Sequence, residues 1–135
     1  MTTMNPYLNF AGNAREALDF YKSIFGGEVS GLQTYADGGM PHEPGKENWV
    51  MHSEFKADGV FFMAADDPSG ATKTSNNNIS LSLQFTDITE IDRTFDALAQ
   101  GGQVTMPLDT APWGARFGML KDKFGIQWLL NCYVQ

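Results

Sequence analysis

The stretch NISLSLQFTDITEIDRTFDALAQGG, residues 78–102, opens with strict alternation. Ile79, Leu81, Leu83 and Phe85 point one way and Ser80, Ser82 and Gln84 the other, which predicts a strand with one apolar and one polar face. The period then lengthens. Ile88, Ile91, Phe95 and Leu98 recur at helical spacing, Asp87 stands at the N-cap with Glu90 three residues on, and Gly101 is a stop. The same unit occurs earlier, in NPYLNFAGNAREALDFYKSIFGG. There Leu8 and Phe10 oppose Asn5, Tyr7 and Asn9. Asn13 caps a helix with Glu16 three residues on, Ala14, Ala17, Leu18, Tyr21 and Phe25 form its stripe, and Gly26-Gly27 ends it. Phe10 and Phe85 are 75 positions apart, Asn13 and Asp87 74, so the first connection is one residue longer. A strand–helix unit returning half a chain later points to an internal duplication.

The remaining pattern extends the repeat. Glu28–Tyr35 and Trp49–Lys56 read as strands, the second with Met51 and Phe55 opposite His52 and Glu54. Between them, Ala36–Asn48 is an aperiodic loop rich in Gly, Pro and charge. Ala57-Asp58-Gly59 turns into the strand VFFMAA, and DPSGATKTSNN, about 67–77, reads as a linker. The second half follows with a strand at Gln103–Pro107, a loop at Leu108–Gly114, a strand at Ala115–Lys121, a turn at DKFG, and a last strand at Ile126–Val134. Pairing Gly59 with Gly125 makes the strands after them correspond residue for residue. Each half is then β-α-β-β-β. The expected class is α+β: two paired βαβββ modules, about 1–66 and 78–135, form one domain with a curved mixed sheet. One helix covers one face of each half and leaves the other concave, so two halves side by side enclose a central cleft, a natural ligand pocket.

A chain of 135 residues with 42% hydrophobic content supports one packed domain. The net charge of −7 disfavours nucleic acid and anionic membrane as partners. The single Cys132 excludes an intrachain disulfide and falls on an apolar strand pattern, as a buried structural thiol would. No apolar run reaches membrane-spanning length and no signal-peptide pattern opens the chain, so the expected location is cytoplasmic.

Few residues carry candidate chemistry. His52 and Glu54, two apart on one strand face, suit a general base with its orienting carboxylate, or two ligands of a metal. The plainer reading is a polar pair lining a pocket. His42, in the loop, reads as a solvated side chain. Arg116, equivalent to Val50 by the Gly59–Gly125 alignment, points toward the cleft, where it would take a carboxylate or phosphate; the alternative is an ion pair with Glu54 or a nearby Asp. Trp113 and Trp49 each precede the third strand of a half, near the cleft mouth, with core packing the better role for Trp49. Trp128 reads as core. Tyr7, Ser82 and Gln84 lie on polar strand faces, and Phe61 and Met63 make an apolar floor.

PYLNFAGNAREALDFYKSIFGGEV, VMHSEF, GVFFMAADDP and WGARFGMLKDKFGIQWLLN together resemble the PhnB-like branch of the glyoxalase/bleomycin-resistance (vicinal oxygen chelate) superfamily, over almost the whole chain. The resemblance implies paired βαβββ modules and a homodimer. It implies a function drawn from metal-dependent lyases, isomerases, dioxygenases, transferases and drug binders. This branch is often labelled a demethylubiquinone methyltransferase, yet the strand-to-helix passages, FAGN and FTD, lack the Gly-rich loop that a nucleotide-like cofactor needs. In metal-using relatives the ligands come from the first and fourth strands of each half. The matching positions here are Asn5, Met63, Ser80 and Leu129, a poor set for a divalent ion. The expectation is therefore a protein that binds a small organic molecule without a metal or other cofactor. The alternatives are a metal-dependent lyase or dioxygenase using His52 and Glu54, and a drug-sequestering resistance protein.

Overall fold

A computed structural model of the chain describes residues 2–68 and 79–133. The chain divides into two compact units, Met1–Thr74 and Ser75–Gln135. From residue 69 onward the expected linker lies outside the described residues, as do Asn78 and Val134.

The first unit contains β1 (Tyr7–Phe10), α1 (Ala14–Phe25), β2 (Glu28–Thr34), β3 (Val50–Ala57) and β4 (Val60–Asp66). The second contains β5 (Leu81–Phe85), α2 (Ile88–Ala99), β6 (Gln103–Thr110), β7 (Ala115–Lys121) and β8 (Gln127–Tyr133). Their sheets run β1-β4-β3-β2 and β5-β8-β7-β6, the same order twice. In each the first strand is parallel to the fourth and the other pairs are antiparallel. The fold is α+β, with two four-stranded mixed sheets and one helix on each.

In the first unit α1 covers the face bearing Phe55 and Phe62. Ala14, Ala17, Leu18, Tyr21 and Ile24 are buried beneath it, and Tyr21 meets Phe62 edge-on at 5.6 Å. Phe25, expected in the stripe, is only half-buried at the helix end, and Ile24 takes its place. In the second unit Ile91, Thr94, Phe95 and Leu98 of α2 are buried over Trp128, Leu130, Cys132 and Leu120. Two expected core positions lie outside it. Ile88, in the first turn, is 43% exposed, and Ile79 precedes β5 at 78%. Leu81, Leu83 and Phe85 do share the helix-side face, pairing with Trp128, Leu130 and Cys132, but are half-buried on an edge strand. β6 continues through the expected loop as far as Thr110; Pro107, which lacks an N–H, is accommodated because β6 is also an edge.

Asp87 caps α2 as its position predicts, accepting from the Thr89 N–H at 2.8 Å. Asn13 does not cap α1. Its side chain accepts from the Ala11 N–H, and the helix start is held instead from β4. The buried Asp66 carboxylate accepts from Gly12 N and Ala14 N through Oδ1, at 2.8 and 2.9 Å, and from Val50 N through Oδ2 at 2.9 Å.

The β3–β4 and β7–β8 hairpins differ in length, and the difference overturns one facing assignment. Ala57 pairs with Val60 across a two-residue Asp58-Gly59 turn, Gly59 taking φ 72°. In the second unit Asp122 and Ile126 close a three-residue Lys123-Phe124-Gly125 turn, Gly125 taking φ 89°. Two-residue and three-residue hairpin turns both need this left-handed residue, which is why the glycines coincide while the lengths do not. Asp122 secures the longer turn, accepting from Phe124 N, Ile126 N and Trp128 Nε1. With one extra residue in the turn, Arg116 matches Met51 rather than Val50. It pairs with Cys132 on the helix-side face, opposite to the face of Ser82 and Gln84. A shift of one residue flips every side chain of a strand.

Candidate functional site

Each unit carries a group of polar and aromatic side chains on the sheet face opposite its helix. In the first, Tyr7, Met63, Glu54 and Ser30 form one row across β1, β4, β3 and β2. Phe61 lies on the same face, opposite Lys56. The Tyr7 hydroxyl stands 2.9 Å from His52 Nδ1, their rings 5.7 Å apart. His52 Nε2 lies 3.6 Å from Glu54 Oε2, beyond hydrogen-bond distance. A carboxylate beside Nε2 favours the proton on that nitrogen, which leaves Nδ1 to accept from the phenol. One imidazole nitrogen is thus hydrogen-bonded and the other lies near a carboxylate. Partial burial raises the Tyr7 pKa above its ordinary value, which holds the phenol in its donating form. The result is a hydrogen-bonded phenol–imidazole pair with a carboxylate beside it. An open groove of about 490 Å³ runs along the β2–β3 edge, with Glu54, Ser30 and Phe25 in its wall.

In the second unit Gln84, Asn131, Phe117 and Asp109 form a row across β5, β8, β7 and β6, with Ser82, Leu129 and Met119 beside it. Trp113 Nε1 donates to Asn131 Oδ1 at 3.3 Å, and Asn131 Nδ2 donates to Gln84 Oε1 at 2.9 Å. Trp113 is 53% exposed and stands edge-on to Phe117, with ring centroids 5.1 Å apart. Asn131, 6% exposed, is the member the sequence pattern does not single out. It alternates with Gln127 and Leu129 like any polar-face residue, and only the fold reveals its two partners.

The other candidates fall elsewhere. Arg116 Nε donates to Asp92 Oδ1 of α2 at 2.6 Å, the ion-pair alternative, and borders an open groove of about 370 Å³ with Asp92, Phe95 and Leu108. Trp49 packs over Gly12 and receives the Lys46 ammonium 4.7 Å from a ring centroid. His42 contacts the Met40 carbonyl in the exposed loop, and Cys132 is buried.

The donor sets decide which cofactors fit. Met63 is flanked by Tyr7 and Glu54, and Leu129 by Ser82 and Met119, so two of the four positions expected for metal ligands offer a thioether and an alkyl chain, and the other two are Asn5 and Ser80. Among the described residues no three His, Cys, Asp or Glu side chains converge on one point. A divalent ion does not fit these positions. A nucleotide-like methyl donor fits no better. The N–H groups of Gly12 and Ala14, which would face such a ligand at the first strand–helix turn, are bonded to Asp66, and the second turn is closed by Asp87. No helix among the described residues is long and apolar enough to cross a membrane.

The family model for 3-demethylubiquinone-9 3-methyltransferase matches residues 2–131. The chain is 34% identical to protein PA1353 of Pseudomonas aeruginosa, covering 98% of each chain with a TM-score of 0.85. It is 35% identical to the PhnB protein of Bacillus cereus, described as a candidate 3-demethylubiquinone-9 3-methyltransferase, covering 97% of this chain and 99% of that one with a TM-score of 0.83. A member of the glyoxalase/bleomycin resistance protein/dioxygenase superfamily from Sphaerobacter thermophilus shares the fold at 22% identity, covering 97% and 98% of the two chains, with a TM-score of 0.55.

Proposed function

The chain belongs to the PhnB-like 3-demethylubiquinone-9 3-methyltransferase family and has a glyoxalase/bleomycin-resistance-like fold; from that premise we propose that it binds a small organic molecule without a divalent metal. Its helix-free sheet faces serve as the binding surfaces, and the Tyr7–His52 pair is the group able to exchange a proton with the ligand. The observation that carries this reading is the hydrogen bond between His52 Nδ1 and the Tyr7 hydroxyl, with the Glu54 carboxylate 3.6 Å from Nε2. An imidazole held in this way is set up as a side-chain acid or base rather than as a metal ligand. The family's methyltransferase label finds no support in the strand–helix turns, whose backbone donors are taken by Asp66 and Asp87.

The test combines elemental analysis with native mass spectrometry of the protein as purified. The expected outcome is substoichiometric metal and a noncovalent organic adduct that survives treatment with a chelator. One tightly held transition-metal ion per chain, lost in His52→Ala, would overturn the reading and favour a metal-dependent lyase or dioxygenase.

A further inference from the structure

We propose that the helix-free face of the second unit selects flat ligands carrying a hydrogen-bond acceptor, with the Gln84 amide as donor and Trp113 and Phe117 as apolar wall. The inference rests on the small-molecule reading above and specifies its ligand class. It follows from the polarity of one hydrogen-bonded chain. An indole N–H donates and cannot accept. The Asn131 atom facing Trp113 Nε1 is therefore its carbonyl oxygen, at 3.3 Å. The other end of that amide is the NH₂ group, 2.9 Å from Gln84, so the Gln84 atom facing it is the carbonyl oxygen. Gln84 Nε2, with two hydrogens, is consequently turned away from Asn131 on an exposed side chain. Asn131 is buried and bonded at both ends, so it cannot turn over without breaking both bonds.

The spacing defines the ligand further. Gln84 and Phe117 stand two strands apart in one row, roughly 10 Å at the usual strand separation. That span accommodates a fused two-ring system with one end against the aromatic pair and a heteroatom at the amide. The arrangement is peculiar to this unit. At the matching positions of the first unit stand Asn9 for Gln84, Ala65 for Asn131 and His52 for Phe117, so the fold itself does not require the chain.

The test uses three flat bicyclic probes on the full chain: quinoline, which accepts at its ring nitrogen, indole, which donates, and naphthalene, which does neither. Ligand-observed NMR titration gives each dissociation constant. Quinoline should bind about fivefold tighter than naphthalene, the gain of one hydrogen bond, and indole no tighter. Gln84→Glu, which replaces the NH₂ donor by a carboxylate oxygen, should abolish the preference for quinoline and create one for indole. Trp113→Phe keeps an aromatic wall but releases the polarity lock, so the quinoline preference should shrink to within twofold. Binding of all three without discrimination, or a quinoline preference unchanged in Gln84→Glu, overturns the acceptor assignment alone. Failure of all three to bind at millimolar concentration overturns the small-molecule reading of this face as well.

Discussion

At the scale of single residues, Asp66 holds three backbone N–H groups of the first unit. Its two oxygens tie the start of α1 and the start of β3 to the end of β4. Asp66→Asn keeps the volume but presents an NH₂ group to one of three N–H donors, and should cost about 2 kcal/mol. Asp66→Ala leaves all three without an acceptor in a buried place and should cost about 4 kcal/mol, read from urea denaturation midpoints. Tyr35 completes this corner by donating to the Asp66 carbonyl at 2.7 Å. Burial raises the Tyr35 pKa above 10.0, with the Asp67 and Asp66 charges adding to the effect. A phenol whose folded pKa exceeds its unfolded value contributes stability that is complete below pH 10 and is lost as pH rises through the folded pKa. Tyr35→Phe should therefore flatten the alkaline arm of a stability–pH profile, measured by thermal melts from pH 8 to 11. None of this was legible in the sequence. Asn13 has the better N-cap position, and a carboxylate arriving from a strand about fifty residues later leaves no local signal.

At the scale of elements, the alternation, the helical periods and the repeat located the eight strands and two helices of the described residues. They failed where an element ends or lies at an edge. Ile79 and Ile88 belong to apolar stripes by spacing but fall at termini that nothing covers. β5 is half-covered for the same reason, being the first strand of its sheet. Truncations should separate these environments. Leu130→Ala, beneath α2 at 0% exposure, should cost about 2–5 kcal/mol, Leu81→Ala on the edge strand clearly less, and Ser82→Ala almost nothing. If Leu81→Ala proves as costly as Leu130→Ala, the partial burial of β5 is wrong. Arg116→Gln removes a partly exposed ion pair and should change stability by less than about 1 kcal/mol. Because Arg116 lies on the helix side, the same variant should leave small-molecule binding unaltered, checked by titration with the same bicyclic probes.

At the scale of the whole molecule, each sheet has a helix on one face, and the edge strand β6 shows Val104 and Met106 at 44% and 47% exposure. Surface of this kind on a chain of 14.9 kDa motivates the prediction of a homodimer. Light scattering at micromolar concentration should return about twice the chain mass; a monomer at that concentration would count against it. The fold class was readable from the repeat, and so were most of the groups on the two faces, whereas their pairings, and Asn131 among them, were not, because partners on neighbouring strands lie far apart in the chain. The first face offers a phenol, an imidazole and a carboxylate, the second an indole and two amides. The β7–β8 turn is one residue longer, yet β3 and β7 keep the same alternation of buried and open positions, with Phe117 standing where His52 stands. The extra residue is absorbed where it occurs, in the turn, and the strands on either side hold their faces. Duplicated modules can therefore vary a connection's length and a face's side chains independently.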